Sequence, residues 1–206
     1  MKITTNSILS FANEFKSKKW GAALDEAIEI LENQKVDNIK VSKFEKSFSK
    51  NRDMKLLEYS DKLDGFDIDI KYYLDKEFDT FHYSLEKDLE SYHKIILDKL
   101  NNSDELTEEE IKKNKDTINS DEFQYQKEQI AIAKSNREII SFDDYSVTLG
   151  LYFFNKDDRN EIQKILIQEY GEYQIIDGHS VWRNNGHRLE LAPAMLTFVP
   201  KIEELK

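Results

Sequence analysis

Apolar residues recur along this chain at two different spacings, and each change of spacing marks an expected change of backbone. Over residues 7–15, Ile8, Leu9, Phe11, Ala12 and Phe15 fall on one side behind Asn6 or Ser7, and over 20–33 the same pattern returns in Trp20, Leu24, Ala27, Ile28 and Leu31. Steps of three and four belong to amphipathic helices, so two short N-terminal helices are expected. Between residues 40 and 60, Val41, Phe44, Phe48, Met54 and Leu57 keep that spacing through heavy polar filler, which extends the helical reading.

The period then drops to two. In DGFDIDIKYYL, residues 64–74, Phe66, Ile68, Ile70 and Tyr72 alternate with Asp67, Asp69, Lys71 and Tyr73, the pattern of a half-buried strand and the first strand expected. Helical spacing resumes through Phe78, Phe81, Leu85, Leu89, Tyr92, Ile96 and Leu100 and predicts one long helix. An acidic stretch, 101–122, follows as an excursion containing a short helix capped by Ser103 or Asp104, and a further helix is expected over 121–136.

From Ser141 the signals describe a sheet unit. YSVTLGLYFF, 145–154, places Val147, Leu149, Leu151 and Phe153 on one face of a strand. A helix starts at Asp157 or Asp158, carries Ile162, Ile165, Leu166 and Tyr170 as its apolar stripe and stops at Gly171. A short strand over 172–177, a hairpin of HSVWRN and HRLELA around Asn185-Gly186, and a last strand over 194–200 complete it. The fold class is therefore α+β: a helical N-terminal and central region with a C-terminal β-α-β-β-β antiparallel sheet unit. The divisions fall at 1–62, 63–138 and 139–206, three segments that fit within one compact domain at 206 residues.

Composition narrows the chemistry. The absence of cysteine excludes disulfides, thiolate nucleophiles and Cys-ligated zinc. The start lacks the apolar stretch of a signal peptide and no uncharged apolar run is long enough to span a bilayer, so a cytoplasmic location without membrane contact is expected. A net charge of -11 opposes direct nucleic-acid binding. The charge is also uneven: residues 51–130 hold 22 acids against 12 Lys and Arg. No glycine pattern matches a phosphate loop or a dinucleotide fingerprint, and no cofactor is expected.

Two stretches invite a chemical reading. Asp67, Asp69 and Lys71 project from the polar face of the 64–74 strand, and Asp69-Ile70-Lys71 resembles the acid-x-Lys element of metal-dependent nucleases of the restriction-endonuclease type. That resemblance spans three residues and implies Mg²⁺ held by carboxylates with a lysine beside the attacking water, Asp53, Asp61 or Asp64 supplying a further ligand. The competing reading is a solvated strand face. In the hairpin, a two-residue turn pairs Arg183 with Arg188, Trp182 with Leu189 and Val181 with Glu190. Two arginines directly opposite each other call for an anion, supplied by Glu190 or by a ligand. The histidines do not cluster: His82 and His93 are placed on one helix some 16 Å apart at 1.5 Å per residue, and His179 and His187 fall out of register, so no histidine metal site is expected.

The tyrosines decide the functional expectation. Tyr72, Tyr73, Tyr83 and Tyr125 do not all fit on buried faces, and Tyr73, Tyr83 and Tyr125 with Asp67, Asp69, Glu108 and Glu109 describe an acidic, tyrosine-bearing surface over residues 58–128. The expected function is non-enzymatic binding of another, basic protein, in the manner of an acidic inhibitor or immunity-type partner of a toxin or nucleic-acid-handling enzyme. Arg183 and Arg188 are the expected anion-binding pair. The alternatives are an assembly component that forms homo-oligomers through its long helix, and a metal-dependent nuclease or hydrolase using Asp67, Asp69 and Lys71.

Overall fold

At Asp64-Gly65 both residues take positive φ, 52° and 91°, and close the hairpin between the first two long strands. Asp-Gly is the pair best suited to two consecutive left-handed residues, because glycine has no Cβ and aspartate tolerates that region. The computed structural model describes residue 11 and residues 19–43, 54–102, 106–176, 178–184 and 187–206. Apart from Phe11, the helix expected over 7–15 lies outside the described residues, as do Phe44, Phe48, Asp53, Ser103, Asp104 and the Asn185-Gly186 turn.

The described elements are α1 (Leu24–Asn33), β1 (Lys40–Lys43), β2 (Lys55–Leu63), β3 (Phe66–Asp79), α2 (Leu85–Asn101), α3 (Glu108–Ile118), α4 (Asp121–Ser135), β4 (Ile139–Phe153), a 3-10 turn at Lys156–Asp158, α5 (Arg159–Tyr170), β5 (Gln174–Ile176), β6 (His179–Asn184), β7 (His187–Leu191), β8 (Met195–Val199) and α6 (Ile202–Leu205). Among the described residues, six helices and an antiparallel sheet in the order β1-β2-β3-β4-β8-β7-β6-β5 make the fold α+β, as expected. None of the described helices is long and apolar enough to cross a membrane.

The chain divides into two compact units, one of residues 1–76 and 141–206 and one of residues 77–140, where the sequence reading divided it at 62 and 138. In the first unit the register places Tyr59, Leu57, Ile70 and Tyr72 of the β2–β3 pair on the same side, all buried. Tyr152 and Gly150 of β4 are opposite Leu196 and Phe198 of β8, which in turn are opposite Leu191 and Leu189 of β7, so one continuous apolar face runs across the sheet. α5 covers the far end of that face: Gln163 Nε2 donates to the buried Ser180 Oγ at 3.1 Å, and Trp182 Nε1 donates to the Gly171 carbonyl at 3.0 Å, just past the helix end. Trp20 stacks on Phe198 with ring centres 4.7 Å apart and stands edge-on to Tyr72 at 5.6 Å.

The second unit is a three-helix assembly. α2 packs against α4 and, less extensively, α3. His93 of α2 is buried, stacks on Phe123 of α4 at 3.7 Å and shares a 2.8 Å hydrogen bond with Gln126. α3 starts at a capping box in which Thr107 Oγ1 accepts from Glu110 N at 3.3 Å while Glu110 Oε2 accepts from Thr107 N at 2.9 Å.

Four expectations need correction. Val41 and Leu57 lie in β1 and β2, not in a helix; chance steps of three and four masked a nine-residue strand whose partner is the next segment along the chain. The long helix begins at Leu85 rather than Phe78, because Asp79 Oδ1 accepts from Phe81 N at 3.1 Å and ends the strand in a turn. His82 is therefore in that turn and not on the helix with His93. In β4, Val147 is buried but Leu149, Leu151 and Phe153 are only half-buried, and Tyr152 and Gly150 face the core instead. A side chain at Gly150 would put its Cβ 2.9 Å from the Trp20 ring, so the apparently empty position is the space that Trp20 fills.

Candidate functional site

β2 and β3 determine what the Asp67, Asp69 and Lys71 row can do. The register sets Lys62 opposite Asp67, Ser60 opposite Asp69 and Glu58 opposite Lys71. Each pair is closed: Lys62 Nζ to Asp67 Oδ1 at 2.6 Å, Ser60 Oγ donating to Asp69 Oδ1 at 2.6 Å, and Lys71 Nζ to Glu58 Oε1 at 2.5 Å. The side chain of Asp67 is 85% exposed. Asp64 Oδ2 accepts from the Phe11 amide at 3.1 Å, which ties that carboxylate to a segment 53 residues away in the chain. Tyr73, next on the same face, is half-buried; burial raises its phenol pKa, with Lys71 pulling it down and Glu58 pushing it up. Open depressions of about 420 and 370 Å³ share Ser60 and Asp69 in their walls. Among the described residues no group of three His, Asp or Glu is placed to hold a metal ion. The row is a ladder of cross-strand pairs, each worth a few tenths of a kcal/mol up to about 1.

In the β6–β7 hairpin Arg183 is opposite Arg188, Trp182 opposite Leu189 and Val181 opposite Glu190, the register expected from the sequence. Glu190 supplies an anion from within the hairpin: its Oε2 accepts from Arg188 Nη2 at 3.2 Å and its Oε1 meets His179 Nδ1 at 2.6 Å. Arg183 is exposed. His187 turns to the other face and pairs with Glu204 of α6 at 2.7 Å. His179 and His187 thus serve separate carboxylates.

Tyr83, Glu108, Glu109 and Tyr125 belong to the unit of residues 77–140, whereas Asp67, Asp69 and Tyr73 belong to the other. Tyr83 is half-buried and stacks on Phe78 with ring centres 5.0 Å apart. Glu108 and Glu109 occupy the exposed first turn of α3. Tyr125 points away from the packing face of α4 and is 61% exposed. Tyr92, Ile95 and Leu97 of α2 and Ile132 of α4 are also exposed.

The base of this unit is held by groups that the sequence reading did not single out. Asp79 is 6% exposed and its carboxylate takes both Arg137 Nε at 3.0 Å and Arg137 Nη2 at 2.7 Å, in addition to the Phe81 amide. Burial alone would raise the Asp79 pKa; the hydrogen bonds and charge of Arg137, with the Phe81 and His82 amides, outweigh it and hold the carboxyl below its ordinary value. Beside it, Glu90 binds both Lys87 and Lys134, and the two ammonium groups lie 5.7 and 5.5 Å from the centre of the Phe81 ring. These residues with His82 line a depression of about 520 Å³. Pairing of Asp79 with Arg137 across 58 residues left no local signal.

Lys19 was equally hidden. It is fully buried; its Nζ donates to Tyr72 OH at 2.9 Å and to Tyr59 OH at 3.3 Å, and Tyr152 OH donates to Tyr72 OH at 3.4 Å. Hydroxyl lone pairs and the Tyr72 ring face, 4.8 Å away, replace the water that the ammonium group has lost. No family model matches the chain, and neither a curated protein nor a solved structure matches it.

Proposed function

We propose that this protein acts by binding another protein, and that the unit of residues 77–140 presents the surface. The observation that carries the reading is the coexistence, on that unit, of exposed apolar side chains with a concentrated negative charge. Tyr92, Ile95, Leu97, Tyr125 and Ile132 are exposed there, while its 16 acids outnumber 9 Lys and Arg and supply -7 of the net -11. Aromatic and aliphatic anchors in a charged surround are what a specific interface needs, and the charge steers a basic partner to it. An inhibitor that covers the basic cleft of a toxin or a nucleic-acid-handling enzyme is the concrete form of this reading.

The test is retention from host lysate on the immobilised chain at low and at high salt, with Tyr92→Ala/Tyr125→Ala run beside it. A basic protein held at low salt, shed at high salt and lost from the double variant is the expected result. Equal retention by the variant would refute the assigned surface. Recovery of the chain alone would favour self-association through α2, the reading that the exposed Tyr92 and Ile95 also support. The hydrolase reading has less behind it, because Asp67, Asp69 and Lys71 each have a partner in the adjacent strand.

A further inference from the structure

We propose that the outer edge of β5 takes up an extended segment of another protein as an added strand, its apolar side chains lying on Ile167, Tyr173 and Ile175 and its ends carrying lysine or arginine. β5 is the outermost strand at its end of the sheet and, among the described residues, pairs with β6 alone. Residues 172–175 are all exposed, Ile175 at 63%, so solvent lies against this edge. An outer strand presents a row of backbone N–H and C=O groups with no ladder partner, and another extended chain is the group that meets them in register.

Two contrasts mark this edge. β1, the outer strand at the opposite end, has lysine at both of its ends, a charge pattern that discourages further pairing, whereas β5 contains no charged residue. Of the four large apolar side chains exposed among the described residues of the unit of residues 1–76 and 141–206, three are Ile167, Tyr173 and Ile175. The edge is also held in shape. Ser180, directly opposite Ile175, is buried and accepts from Gln163 Nε2 of α5 at 3.1 Å. Trp182 donates to the Gly171 carbonyl at 3.0 Å, and its ring lies 5.2 Å from that of Tyr173. α5 and β6 thus fix the approach to β5 before a partner arrives, which lowers the ordering cost of strand addition.

Charge selects the segment. Residues 165–178 contain Glu169, Glu172 and Asp177 and no Lys, Arg or His. The Tyr170 phenol in the same stretch is held above its ordinary pKa by burial and then by Glu169 and Glu204, which marks a locally negative potential. Cations at the ends of an incoming segment meet that potential, whereas β5 of a second copy would bring the same acids together. The occupant is therefore a foreign, basic-ended strand and not this chain. The edge belongs to the unit of residues 1–76 and 141–206, not to the unit that carries the surface proposed above, and needs nothing from it.

NMR titration of the full chain with the peptide acetyl-Lys-Ile-Thr-Ile-Lys-amide tests this. Saturable amide shifts at Tyr173, Gln174, Ile175 and Ile176 are expected, with slower hydrogen exchange in β5. The same peptide N-methylated at every internal residue, which removes its ladder donors, should bind about tenfold more weakly or worse, and so should the peptide with glutamate in place of both lysines. Ile175→Lys, at an exposed position, should lose the peptide to the same extent with an unchanged thermal midpoint; if that variant unfolds, the peptide comparison on the native chain stands without it. Equal binding of the N-methylated peptide, or shifts confined to residues 77–140, overturns strand addition. Equal binding of the glutamate peptide overturns the basic-ended partner. Shifts of the β5 amides with chain concentration alone, before any peptide is added, overturn the proposal in favour of a second copy.

Discussion

Replacing Asp79 by Asn changes the charge and almost nothing of the shape, so it isolates what the carboxylate does at the base of the helical unit. In the native chain the two oxygens accept two N–H groups of Arg137 and the Phe81 amide from a position only 6% exposed. Asparagine turns one of those acceptors into a donor facing a guanidinium. Hydrogen bonds to charged groups are worth about 1.5–3 kcal/mol each when lost. Arg137 is 47% exposed, so water recovers part of that loss, and the expected destabilisation is about 2 kcal/mol. Urea unfolding at pH 7 measures the total, and hydrogen exchange localises it: the Phe81 amide should exchange roughly 30-fold faster, at 1.36 kcal/mol per decade.

The pH dependence carries a sign. The folded state holds the Asp79 carboxyl below its ordinary value, so its contribution is present above about pH 4, the unfolded value, and is lost as pH falls through the folded one. The gap between native chain and Asp79→Asn should be constant from pH 6 to 8 and close on acidification. A variant within about 0.5 kcal/mol of the native chain at pH 7, or a gap unchanged at pH 3, would refute the reasoning.

Other outcomes follow from single contacts. Gly21→Ala forces a side chain into φ +75° and puts its Cβ 2.8 Å from the Leu205 carbonyl oxygen, whereas Gly65→Ala, at φ +91°, meets nothing within 4 Å. Thermal unfolding should therefore rank Gly21→Ala clearly below Gly65→Ala, which costs about 1–2 kcal/mol for its left-handed backbone alone. Thr107→Ala removes the acceptor for Glu110 N and should cost about 1 kcal/mol, read as lost amide protection in the first turn of α3. Burial, reinforced by Glu169 and Glu204, raises the Tyr170 phenol well above its ordinary pKa. Stability from this group is then lost as pH rises past the unfolded value near 10, and ultraviolet titration should show Tyr170 ionising above the ordinary tyrosine range.

Legibility in the sequence followed the range of the interaction. The β6–β7 register was readable to the residue, Arg183 against Arg188, because the number of loop residues between two strands sets it. The alternation of β3 and the extent of α4 were local as well. β2 was not recognised, although Asp64-Gly65 is, like Asn185-Gly186, a strong short hairpin signal; reading apolar spacing ahead of turn chemistry hid it. At the candidate sites the residue types were visible but their partners were not. Asp69 looked like a potential metal ligand until Ser60 was placed opposite it, and Tyr125 looked exposed and is.

The amino-acid sequence by itself determined what depends on neighbours along the chain: the α+β class, the alternation of β3, the end of α5 at Gly171, the excess of negative charge in the central region. Tertiary structure alone decided the rest. Burial of Lys19 among Tyr59, Tyr72 and Tyr152, the clasp of Asp79 by Arg137, and the approach of Lys55 and Lys76 to the Tyr145 ring each join residues from separate segments. Their positions depend on strand register and packing, which no periodicity encodes, and a charged side chain becomes buried or clustered only once the whole sheet has chosen its partners.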